Sequence, residues 1–91
     1  MYPDYVTVDE IQRNVEGEEM PLMLRLVRLV YPDNRPYEYG YCFVFNYADR
    51  RQIPKGQTVI PELDDIEALL KEARKRGWDK RIKILREEHN V

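Results

Sequence analysis

Residues able to carry covalent or acid–base chemistry are scarce in this 91-residue chain. It has no serine, one histidine (His89), one cysteine (Cys42) and two threonines (Thr7, Thr58). A hydrolytic nucleophile needs a base positioned beside it, and His89 stands within the last three residues with no nucleophile near it in sequence. Cys42 sits in a strand-like run near Gly40 and Val44, where a thiol serves as a small hydrophobe. Zinc sites and disulfide frameworks built on cysteine need more than one. The acid pairs Asp64-Asp65 and Glu87-Glu88 have no second cluster to complete a cation site. This inventory predicts a non-enzyme with no catalytic residue, no cofactor and no metal.

The chain is instead rich in aromatics: seven Tyr, two Phe and one Trp. Within YEYGYCFVFNY (37–47) the odd positions are Tyr37, Tyr39, Tyr41, Phe43, Phe45 and Tyr47, and the even ones Glu38, Gly40, Cys42, Val44 and Asn46. Successive side chains of a strand point to opposite faces, so a strand here lines six aromatics on one side. A patch of that area marks an interaction surface when it is exposed. Tyrosine suits such a surface because its hydroxyl tolerates water while its ring supplies contact area. The competing use is sheet packing, since aromatics favour strands and pair across them.

An element must present that row. LMLRLVRLVY (22–31) and 37–47 flank Pro32-Asp33-Asn34-Arg35-Pro36, a cluster of turn formers, which predicts a hairpin. If those five residues form the loop, Tyr31 faces Tyr37 and odd positions pair with odd. The aromatic face then gains Met23, Arg25, Val27, Leu29 and Tyr31, and the other holds Leu22, Leu24, Leu26, Arg28 and Val30 beside Gly40, Cys42 and Val44. Both faces are largely apolar, so helices can cover one and something else must cover the other.

Upstream, DYVTV (4–8) reads as a short strand. Thr7 and Glu10 have capping-box spacing, and Val8, Ile11 and Val15 recur on one helical face before Gly17, which predicts a helix of about nine residues. Downstream, Pro54-Lys55-Gly56-Gln57 marks a turn and Thr58-Val59-Ile60 a short extended segment. Pro61 opens a helix whose stripe is Leu63, Ile66, Leu69, Leu70 and Ala73, with acids early and bases late to match its dipole. Gly77 ends it, with Trp78 folding back as the contact of that stop. RIKILR (81–86) reads as a last strand and 87–91 as a flexible tail.

The expected fold is therefore α+β: a single small domain over residues 1–91, an antiparallel sheet of three to four strands with two helices on one face. If the first strand forms, the order is βαββαβ, the ferredoxin-like arrangement.

Formal charge is −2 and the sequence pI about 5.4, without the basic excess typical of nucleic-acid binders. The charge is sorted, however. Residues 1–20 carry six acids against Arg13, and residues 71–86 carry eight bases against Glu72 and Asp79. Gly40-Tyr41-Cys42-Phe43-Val44 resembles the centre of the third-strand motif of RNA-recognition-motif domains, where a glycine precedes base-stacking aromatics. That resemblance covers about five residues, with Tyr39 where the family has a base. It implies that Tyr41 and Phe43 lie on an open sheet face and stack single-stranded RNA or DNA.

The leading expectation is a non-enzymatic interaction module, an adaptor, regulator or assembly subunit. It binds a protein partner or a second copy through Tyr37, Tyr39, Tyr41, Phe43 and Phe45 with Val27, Leu29 and Arg25. Nucleic acid is the alternative partner. No apolar run reaches membrane-spanning length, and the start of the chain lacks a secretory signal, so the expected location is cytoplasmic with no membrane partner.

Overall fold

The computed structural model of the chain describes residues 3–45 and 59–88. Three strands come first: β1 (Asp4–Arg13), β2 (Leu22–Val30) and β3 (Glu38–Phe45). Two helices follow, α1 (Leu63–Lys75) and α2 (Trp78–Glu88). The strands form one antiparallel sheet in the order β1-β2-β3, so β2 is central and β1 and β3 are its edges. The α+β class and the antiparallel sheet with two helices are as expected. The order is not: among the described residues the strands precede the helices rather than alternating with them, which is not the βαββαβ succession.

Two segments account for that difference. Residues expected to form the first helix extend β1 to Arg13 and pair with β2 from Asp9↔Leu26 to Arg13↔Leu22. The apolar set was legible but its period was misleading. Between Thr7 and Asp9 the register shifts by a β-bulge, which inserts Val8 out of step with the alternation. Val8 therefore packs on the same core as Ile11, and Val15 joins them from the loop beyond. Helical spacing is reproduced by a bulged strand. Gly17 does adopt the left-handed conformation, at φ 84°, but in the turn leading to β2, where the Glu18 N–H donates to the Val15 carbonyl at 3.1 Å.

The other segment is 81–86, expected as a strand and found within α2. Trp78, Ile82 and Leu85 point together into the core at helical spacing. Ile84, which alternation would have placed beside Ile82, is 54% exposed. Glu87 and Glu88 belong to this helix rather than to a tail. Gly77 separates the helices as expected, at φ 76°, with its N–H donating to the Arg74 carbonyl at 3.0 Å. The chain then resumes helix at once. α1 begins at Leu63, after Glu62 in extended conformation, one short step later than Pro61 suggested.

The turn at 32–36 is present, with Asn34 left-handed at φ 64°. The hairpin register, however, is one residue away from the expected one. Leu22 faces Phe45, Leu24 faces Phe43, Leu26 faces Tyr41 and Arg28 faces Tyr39. Odd positions of β3 thus share a face with even positions of β2, and a one-residue slip moves a whole side-chain set to the other face. The core consists of Leu22, Leu24, Leu26, Ile11, Val15 and Tyr39 from the sheet side. Leu69, Ala73, Trp78 and Ile82 come from the helices, with Phe43, Phe45 and Ile60 packed against them. The aromatic row faces the helices.

Tyr47, the turn at Pro54-Lys55-Gly56-Gln57, Thr58 and His89 lie outside the described residues. Val59 and Ile60 belong to no strand or helix.

Candidate functional site

The residues expected to form one surface are divided between the two faces. Tyr39, Tyr41, Phe43 and Phe45 lie on the helix side, and Arg25, Val27 and Leu29 on the opposite side, beside Cys42, Gly40 and Glu38. Tyr37 precedes β3, in the loop. Their exposures differ as sharply. Tyr39 is buried, Phe43 and Phe45 are half-buried against the core, and Tyr41 is 46% and Tyr37 39% exposed. On the other face Val27 is buried and Leu29 half-buried. Arg25 pairs with Glu10 of β1, Nε to Oε2 at 3.2 Å. Tyr41 and Phe43 sit under the helix pair, so the helix-free platform implied by the nucleic-acid resemblance is not formed by these side chains.

Three groups of contacts hold the helices over the row. Arg13 of β1 donates to Asp65 of α1 at 2.6 Å, a pair whose carboxylate is nearly buried. Arg81 of α2 meets Asp9, next to the bulge, at 2.9 Å. At the β3 side, Tyr41 and Trp78 stack with ring planes 3° apart and centroids 6.3 Å apart, and the Tyr41 hydroxyl donates to the Trp78 carbonyl at 3.2 Å. Trp78 is the most important side chain that the sequence reading left outside its surface. It is 1% exposed, and its indole N–H has no hydrogen-bond partner among the described residues. Burial raises the Tyr41 hydroxyl above the ordinary tyrosine range; Arg86 and Arg74 oppose the shift and Asp79 adds to it.

Two arginines hydrogen-bond Tyr39, near the start of β3. Arg28 donates from Nε to the Tyr39 hydroxyl at 3.1 Å, with its guanidinium 5.1 Å from the Tyr37 ring centroid and 5.6 Å from that of Tyr39. Arg86 of α2 donates to the Tyr39 carbonyl at 3.2 Å. The hairpin tip is internally paired: Arg35 grips Asp33 and lies 4.4 Å over the Tyr31 ring, whose hydroxyl donates to Glu38 at 2.9 Å.

The edges of the sheet form the remaining candidate surface. Among the described residues β3 pairs only with β2, and from Tyr39 to Phe45 it carries no charged side chain. No residue from 40 to 45 is buried. Its register with β2 runs without a bulge. Cys42 lies in this stretch as a free thiol, raised above the ordinary cysteine range by burial and pulled back in part by Arg25 across the strand.

Among the described residues, no group of three or more His, Cys, Asp or Glu side chains is placed to hold a metal ion, and no helix is long and apolar enough to cross a membrane. Comparison of the chain with models of protein families, with characterised proteins and with solved structures finds no match.

Proposed function

We propose that this protein is a non-enzymatic interaction module, of the adaptor or assembly-subunit kind, which associates with a second copy of itself through the β3 edge. The observation that carries the reading is the make-up of β3: an eight-residue strand whose only charge is Glu38 at its start, and which pairs with β2 alone among the described strands. Such a strand offers a row of main-chain donors and acceptors to another strand. A second copy suits this strand because antiparallel self-pairing sets identical residues about a two-fold axis, where like charges would repel. β3 has no charge from Tyr39 to Phe45 to repel. Centred on Cys42, the pairing brings Tyr41 beside Phe43 of the second copy and keeps both helix pairs on one side of a continuous sheet. The single free thiol agrees with a reducing compartment such as the cytoplasm.

Light scattering after size exclusion across a dilution series tests this. The expected result is a dimer that dissociates on dilution, and a Val44→Lys chain that stays monomeric with an unchanged thermal transition. A wild-type chain that is monomeric at every concentration, or a lysine variant that dimerises equally well, refutes the reading. Oxidative cross-linking through Cys42 checks the register.

A further inference from the structure

We propose that Arg28 and Arg86 form an oxyanion-binding site around Tyr39, one that takes a phosphate or carboxylate group. This site is distinct from the β3 edge pairing and does not depend on it.

The helix-side row of β2 reads Leu22, Leu24, Leu26 and then Arg28, so a cation takes the position where the pattern has placed leucine. Arg28 is only half-exposed. Partial burial of a guanidinium normally calls for a carboxylate, and elsewhere in this chain it finds one. Arg13 and Arg25, which are also part-buried, pair with Asp65 and Glu10. Among the described residues neither Arg28 nor Arg86 makes such a pair. Both instead donate to Tyr39, Arg28 to its hydroxyl oxygen and Arg86 to its carbonyl.

The consequence is preorganisation. Two tyrosine rings and one hydrogen bond hold the Arg28 guanidinium, so its orientation is set before any ligand arrives. Among the described residues only its Nε donates a hydrogen bond, which leaves the two terminal amino groups for the bidentate geometry that carboxylate and phosphate oxygens accept. Arg86 adds a second cation on the same tyrosine, anchored through one Nη. The exposed Tyr37 ring borders the site and also lines a cleft of about 340 Å³ at the hairpin tip, with Tyr31, Asn34 and Arg35, which gives the body of a ligand somewhere to lie.

Titration followed on the arginine Nε–H resonances of the full chain tests the proposal, with sodium phosphate and sodium acetate each compared with sodium chloride at equal ionic strength. The expected result is a saturable shift at the Arg28 Nε–H and the Tyr39 amide with at least one of the two anions. Arg86→Gln, on the exposed face of α2, should weaken it about tenfold, the scale of a lost charge-assisted hydrogen bond. Arg28→Lys keeps the charge and loses the fork, and should weaken it further. Saturation with phosphate alone identifies the ligand group as a phosphate, and saturation with acetate alone as a carboxylate. Saturation with both makes it a general oxyanion site. Shifts no larger than those in chloride, or spread evenly over all arginines, overturn the proposal.

Discussion

The two edges of the sheet are built on opposite plans. β1 is ten residues long and carries Asp4, Asp9, Glu10 and Arg13, a bulge at Val8, and ion pairs that tie it to both helices. Each feature discourages a further strand from pairing there, either by charge or by bending the backbone out of register. β3 has none of these between Tyr39 and Phe45. Its attachment to the helices is aromatic and carbonyl-directed, through Tyr41 on Trp78 and Arg86 on the Tyr39 carbonyl. One edge is thus charged, bulged and ion-paired, and the other is uncharged and regular from Tyr39 to Phe45, the difference on which the proposed self-association rests.

The contrast can be broken most severely at Trp78. Trp78→Ala removes the buried ring against which Tyr41 stacks, and should cost about 3–5 kcal/mol in chemical denaturation, enough to unfold a domain of this size. Next comes the β1 side. Asp65→Ala leaves Arg13 without its nearly buried carboxylate, and a loss of about 1–3 kcal/mol is expected in the same assay. Asp9→Asn breaks a more exposed pair with Arg81 and should cost at most about 1 kcal/mol, less in high salt. The comparison is sharpened by placing one lysine on each edge. Val44→Lys on β3 should abolish self-association, whereas Gln12→Lys on β1 should leave the dimer midpoint unchanged in light scattering. The smallest effect concerns the Cys42 thiol. Burial holds its pKa above the ordinary value, so alkylation near neutral pH should be slower than for a free cysteine and should quicken as alkali ionises it. Because the folded pKa is the higher one, the same group favours the fold below its unfolded pKa and loses that contribution as pH rises through the folded value.

Much of the architecture could be read from residue types. The hairpin, its turn, the second-half helix ending at Gly77 and the burial of Trp78 all follow from local signals of turn formers, amphipathic spacing and a glycine stop. The failures share one cause. Val8, Ile11 and Val15 fit a helical period and also fit a strand with a bulge, and Ile82, Ile84 and Leu85 fit either element over so short a run. Pairing with β2 decided the first, and packing of Ile82 and Leu85 beneath the helix decided the second. Arg28 and Arg86 were visible only as members of charge counts, because what distinguishes them is a shared tyrosine 11 and 47 residues away in sequence.

By itself the sequence determined which residues would be apolar, that Tyr39, Tyr41, Phe43 and Phe45 would share one face of a strand, and that catalytic side chains would be scarce. It could not determine which face that strand turned toward the helices. β2 is apolar on both sides, with Leu22, Leu24 and Leu26 on one and Met23, Val27 and Leu29 on the other, so no polar residue penalises a one-residue slip strongly enough to identify the register. The long-range contacts of Trp78, Leu69 and Ile82 select among registers that the strand pattern leaves nearly equal. That choice turned the aromatic face of β3 toward the helices, where Tyr39 is buried and Phe43 and Phe45 pack against the core.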